Sequence, residues 1–174
     1  MAKLIRNGQV VHDDWQVLIP EKGEAAATIA QPSGRTIVPL AAWVAHREGS
    51  VARTDIGVWL DGGDDPEAIA TDLGHLPIVA IRFPKFADGR GYSLAYLLRT
   101  RYEYQGELRA IGEVLRDQFD SLRRCGFDAF KPREGRYDAA QLETSLASLS
   151  NFTHPYQASA HPADPLFRRV RRAA

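Results

Sequence analysis

Apolar positions in the middle of the chain gather into short runs separated by stretches with helical spacing. Ile56 to Leu60 (IGVWL) and Ile78 to Phe83 (IVAIRF) are nearly unbroken apolar segments rich in β-branched and aromatic side chains, the pattern of strands covered on both faces. Leu108 to Gly112 (LRAIG) and Phe127 to Phe130 (FDAF) are shorter runs of the same kind. Between them the spacing changes to threes and fours. Leu94, Leu97 and Leu98 define a helix capped by Ser93 and running to about Arg101. Leu115, Phe119 and Leu122 define another from Val114 to Arg124, ended by Gly126, and Leu142, Leu146 and Leu149 a third from Asp138 to Leu149. Pro66 to Leu73 begins a helix with proline near its first position. About four consecutive strand–helix units result. They imply right-handed crossovers and a mainly parallel α/β sheet, either open and layered or curved like half of a (β/α)8 barrel.

The two ends of the chain are less regular. Two apolar runs, VV and WQVLI, flank His12, Asp13 and Asp14 between Gln9 and Ile19, which reads as an N-terminal hairpin with an Asp-containing turn. Residues 20 to 35 form a connector rich in Pro, Gly and small side chains. Pro39 suits the first turn of a helix carrying Leu40, Trp43 and Val44 on one face, with Gly49 after its end. From Asn151 the pattern gives way to His154-Pro155, His161-Pro162 and a closing arginine cluster. The expected organisation is one α/β domain over residues 1–152 and an extended C-terminal tail over 153–174.

Composition narrows the classes of function. Lys and Arg together number 22, as do Asp and Glu, so no global field draws the chain to nucleic acid or to an acidic membrane surface. Cys125 is the only cysteine, which removes an intrachain disulfide and any four-cysteine metal or iron–sulfur site. Neither a signal-peptide pattern nor an apolar run of membrane-spanning length occurs, and a cytoplasmic location is expected. The five histidines are scattered and no metal site is expected from them. Neither GxGxxG nor GxxxxGK[ST] is present, so no nucleotide or other cofactor is expected.

In parallel α/β folds ligands collect beyond the carboxyl ends of the strands, where loops vary and helix N-termini point partial positive charge. The richest such segment is FPKFADGRGYS, residues 83 to 93. Gly89 and Gly91 permit close backbone approach there, and Lys85, Arg90 and the amides near Ser93 are candidates to hold a small anion. The alternative is a plain scaffold turn, with Gly89 at positive φ and Arg90 paired with an acidic neighbour. Arg109 stands inside an apolar strand and requires a carboxylate partner or a bound anion, and Lys131 follows the last strand, so both join the anion-binding candidates. Asp88 and Glu113 are candidate acid–base groups. Asp117 and Gln118 read either as acid–base groups or, in preference, as helix surface pairing with Arg116 and Arg124, and Cys125 as a space-filling thiol, the alternative being an exposed thiol activated by Arg123 and Arg124.

The blocks FADGRGYS, GELRAIG, the Asp117-Gln118 pair and RCGFDAF, in this order between Phe83 and Phe130, resemble an uncharacterised bacterial family, a domain of unknown function. Members are commonly described as probable oxidoreductases involved in sulfite reduction, by the neighbourhood of their genes to assimilatory sulfite or nitrite reductase. The resemblance implies an accessory protein of sulfate and sulfite assimilation that binds the sulfite reductase haemoprotein, or a small anion such as sulfate or sulfite, through the DGRG loop. Two other readings stay open: an enzyme acting on a small anionic substrate at the strand ends, and a structural module that pairs as a homodimer through exposed sheet edges.

Overall fold

A computed structural model of the chain describes residues 3–148 and 159–160. The hairpin at the start is β1 (Lys3–Arg6) and β2 (Gln9–His12), paired antiparallel across Asn7-Gly8, whose φ values of 50° and 76° are those of a tight two-residue turn. This corrects the hairpin expected around Asp13-Asp14. The Asn-Gly dipeptide, the strongest short hairpin signal in the chain, lies one strand earlier.

Six parallel strands follow: β3 (Gln16–Val17), β4 (Thr36–Pro39), β5 (Ile56–Leu60), β6 (Ile78–Phe83), β7 (Glu107–Gly112) and β8 (Ala129–Pro132). The sheet order is β2-β1-β8-β7-β6-β5-β4-β3, with β1 antiparallel to β8. The sheet is therefore mixed rather than wholly parallel.

Its curvature follows from chain length. Laid flat, eight strands at about 4.8 Å spacing would hold β2 and β3 roughly 34 Å apart. Only Asp13, Asp14 and Trp15 join those two edges, and four extended Cα steps reach at most about 14 Å. The sheet must curl until its edges nearly meet, and of the two architectures left open it is the half-barrel. Residues 13–15 form a strap across the gap.

The helices are α1 (Leu40–Ala45), α2 (Arg47–Ser50), α3 (Arg90–Thr100), α4 (Phe119–Arg124) and α5 (Ala139–Ser148). Because successive parallel strands are neighbours in one direction, right-handed crossovers place their helices on a single, convex face. Val58, Leu60, Val79, Ile81, Phe83, Leu108 and Phe130 meet Trp43, Leu94, Leu98, Phe119 and Leu122 there in the main core. The alternate residues Ile37, Trp59, Ile78, Ala80 and Ile111 join Trp15 in a smaller cluster on the concave face. This two-sided burial explains why β5 and β6 read as continuous apolar runs.

Several elements differ from expectation. Thr36–Pro39 is a strand with every residue buried, and Pro39 ends it as the residue before α1 rather than entering the helix. Gly49 lies within α2, and Val44 is largely exposed. Pro66–Ile69 is a 3-10 turn, not a helix reaching Leu73; Leu73 and Leu76 drop into the core from the irregular turns that follow. Residues 116–118 likewise form a 3-10 turn before α4. The leucine at 149 and nearly all of the expected tail, including His154, His161 and the arginine cluster, lie outside the described residues. No described helix is long and apolar enough to cross a membrane.

Candidate functional site

The carboxyl ends of β6, β7 and β8 open into a cavity of about 690 Å³. Trp15 and Gln16 from the strap region, Val17 and Ile19, Arg82 to Pro84, Ile111 to Glu113 and Lys131 to Glu134 line it. Strand alternation dictates the lining. On β6 and β8 the convex face takes Ile81, Phe83 and Phe130, so Arg82 and Lys131 project toward the mouth.

Beneath the mouth lies a chain of alternating charges. The Asp13 carboxylate, wholly inaccessible, accepts from Arg109 Nη1 at 2.9 Å and from the Trp15 amide at 3.2 Å, and pairs with Lys131 Nζ at 2.5 Å. Arg109, equally inaccessible, donates through Nε to Glu107 at 2.7 Å, and Glu107 faces Arg6 at 3.5 Å. The buried arginine has the carboxylate partner its strand position required, and the partner comes from the strap, 96 residues away in sequence. Burial alone would raise the Asp13 carboxyl pKa, but Arg109 and Lys131, aided by the Trp15 amide, outweigh it and hold the group below its ordinary value.

Two further cations ring the opening. Arg82 forms a bidentate pair with Asp61, at 2.7 and 2.6 Å, and lies over the Trp59 ring at 4.5 Å, while Trp59 Nε1 donates to the Leu18 carbonyl at 2.8 Å. Arg133 donates to Glu113 at 3.0 Å. Arg82, Asp13 and Trp15 are not among the candidates read from the sequence, whereas Asp61 is one of the strand-end residues that reading selects. Arg82 carries a legible signal, a charge inside an otherwise apolar strand, the same signal that singled out Arg109.

The FPKFADGRGYS loop is arranged otherwise. Arg90 makes a bidentate pair with Asp88, at 2.9 and 2.7 Å, the acidic-neighbour arrangement, and the Arg90 amide also donates to Asp88. Gly89 has an ordinary φ of −75°, not a positive one, and precedes α3. The helix begins at Arg90, so Ser93 is an exposed residue of its first turn and not its cap. Gly91 is required for packing: a Cβ there would meet the Phe83 ring at 2.7 Å. Gln118 fastens the loop, donating to the Phe86 carbonyl at 2.8 Å while accepting from the Leu115 amide. Lys85 is exposed, with no ion pair among the described residues. Arg109, Lys131 and Glu113 are thus gathered in or under the mouth, whereas Lys85, Asp88, Gly89, Arg90, Gly91 and Ser93 do not line it.

The Arg90 hydrogen bonds hold the Asp88 carboxyl at about 2. A carboxyl NMR titration is expected to show that midpoint, and Arg90→Ala to return it toward about 3.9. An ordinary midpoint in the unaltered chain would mean that Arg90 is free for another anion.

Cys125 is half-buried at the end of α4, and burial raises its thiol pKa, which disfavours the thiolate a nucleophile needs. Arg123 and Arg124 both pair with Asp120, so Arg124 is not a partner of Asp117. A second cleft, between α1 and α2, holds Arg47 and Arg53, which are bound to Asp72 and Asp55. Among the described residues no three His, Cys, Asp or Glu side chains gather as metal ligands.

A family model described as a bacterial protein of unknown function (DUF934) matches residues 57–167. No curated protein and no solved structure matches the chain. The matched stretch runs from β5 through α5 and contains Arg82, Arg109, Glu113 and Lys131, while the strap lies before it. Since the match covers more than half of the sequence, the chain belongs to the DUF934 family of bacterial proteins.

Proposed function

We propose that the chain binds a small anionic ligand in the mouth of the half-barrel and serves sulfate or sulfite assimilation, as an accessory protein or as an enzyme acting on that ligand. The observation that carries the reading is the 690 Å³ cavity beyond β6–β8, with Arg82, Lys131 and Arg133 in its lining. Cavities of this size, mainly apolar with a few convergent polar groups, are the usual form of small-molecule sites. Glu113, also in the lining, is the sequence-derived acid–base candidate that stands beside a bound ligand, in the reading of the chain as an enzyme. The sulfur context comes from the family resemblance alone. Titration calorimetry with sulfite, sulfate and small organic acids is expected to show saturable one-to-one binding, weakened about tenfold by Lys131→Met. A gene deletion is expected to abolish growth on sulfate as sole sulfur source. Normal growth of that strain would remove the sulfur assignment, and absence of any binding would remove the anion site.

A second reading, docking of sulfite reductase through the DGRG loop, is favoured by Phe86, which is 60 % exposed within that segment. Phe86→Ala is expected to abolish co-purification of the reductase without changing ligand affinity. Equal recovery with the unaltered and variant chains would end this reading.

A further inference from the structure

The mouth is much larger than any inorganic oxyanion. Ligand cavities of roughly 300–1,000 Å³ hold organic molecules of drug size, and at about 690 Å³ this one falls in the middle of that range. Beside its charged groups the lining includes Trp15, Val17, Ile111, Pro84 and Pro132, apolar surfaces that a small hydrated ion would leave uncovered. Ile19 stands at the same opening, 55 % exposed, one of few large apolar side chains so left among the described residues. An apolar body laid between Trp15 and these residues would cover the surface they present to water.

The charges single out one anchor. Arg82 is matched by Asp61 and Arg133 by Glu113, each with a carboxylate of its own. Lys131 belongs instead to the chain Lys131–Asp13–Arg109–Glu107–Arg6, in which three cations share two carboxylates. One positive charge is in surplus. The chain has two ends: Arg6, 42 % exposed to water, and Lys131, 15 % exposed and in the cavity lining. Water satisfies the first end. Glu134, exposed beside the opening, is the remaining carboxylate of the lining and is screened by solvent.

Resting on the anion-binding reading above, we infer that the ligand is an organic acid with a flat apolar body. Its carboxylate or sulfonate meets the Lys131 ammonium, and its body lies against Trp15, Ile111 and Pro132. Asp13 and Arg109 are positioning residues: the Asp13 carboxylate pairs with the Lys131 ammonium, and Arg109 in turn holds that carboxylate. The lysine acts as an ion-pair donor to the ligand's acid group.

The test is titration calorimetry on the full chain with naphthalene-1-sulfonate, naphthalene-1-carboxylate, the neutral naphthalene-1-methanol, and inorganic sulfite and sulfate. Both aromatic acids are expected to bind one to one, at least about tenfold more tightly than the alcohol and than the inorganic ions. Lys131→Met is expected to bring the acids down to the alcohol's affinity and leave the alcohol unchanged, while Lys131→Arg keeps the preference for acids. The comparison of acid with alcohol on the unaltered chain needs no variant, so a misfolded Lys131→Met leaves the test intact. If sulfite binds tightly and the aromatic acids do not, the organic-acid inference is overturned and the anion site stands. Equal binding of acid and alcohol overturns the role of Lys131, and no binding by any probe overturns both readings.

Discussion

Asp13→Ala is expected to destabilise the protein by about 3–5 kcal/mol, the usual cost of removing one partner from a buried ion pair. Its carboxylate is wholly inaccessible and is shared by two cations, Arg109 and Lys131. Without it Arg109 keeps Glu107, but Lys131 faces a fully buried guanidinium with no intervening negative charge. The strap loses an anchor at the same time, since the Trp15 amide donates to the same oxygen that Arg109 Nη1 reaches. Asp13→Asn keeps the shape and the acceptor and is expected to cost less. Urea unfolding of the three chains measures the order.

The same carboxylate has a pH signature. Its folded pKa lies below its unfolded one, so its contribution is complete above the unfolded carboxylate pKa of about 3.9 and is lost as pH falls through the depressed folded value. Acid unfolding below about pH 4 should therefore be steeper in the unaltered chain than in Asp13→Asn. Equal slopes would mean that folding does not lower the Asp13 carboxyl pKa.

Gly112→Ala is the second large effect, expected on the order of 4 kcal/mol from the combination of backbone strain and overpacking. Gly112 ends β7 at φ +97°, and a Cβ there would stand 2.5 Å from the Phe83 carbonyl oxygen. That oxygen cannot yield: it accepts from the Glu113 amide at 2.8 Å, and Phe83 is registered opposite Gly112 in the β6–β7 ladder. The Gly112 carbonyl in turn accepts from the Arg133 amide at 2.9 Å. Relief of the clash would shift Glu113 and Arg133 together and reshape the mouth, so ligand affinity should fall with stability. Gly89→Ala is the control, because an added methyl there meets nothing within 4 Å and φ is ordinary. It is expected to stay within about 1 kcal/mol of the unaltered chain. If thermal and urea unfolding place both variants together, the steric account of Gly112 is wrong.

The two glycines separate what a motif shows from what it means. GELRAIG and DGRG both read as signatures, but only the DGRG glycines suggest close backbone approach to a ligand. In the fold, Gly112 is needed for a strand end that lines the cavity, Gly91 makes room for Phe83, and Gly89 answers no steric demand. Spacing along a chain cannot distinguish these cases, because the atom each glycine avoids belongs to another segment.

What the sequence determined by itself is local or depends only on polarity. β5 and β6 were legible with their observed bounds because burial on both faces makes a parallel strand apolar throughout. The need of Arg109 for a carboxylate or a bound anion was legible, because a guanidinium within an apolar strand demands a negative partner wherever it comes from; that the partner is a carboxylate was not. β4 was not, since TIVP is short and ends in proline, and only its pairing with β3 and β5 makes it a strand. Nor was the hairpin placed correctly, although Asn7-Gly8 carried its signal. The tertiary structure alone decided that the sheet curls, that a three-residue strap closes its edges, and that Asp13 reaches Arg109 and Lys131 beneath a cavity. Those outcomes follow from chain closure and from charges meeting across distant segments, and no local pattern of residues encodes a distance between two strands.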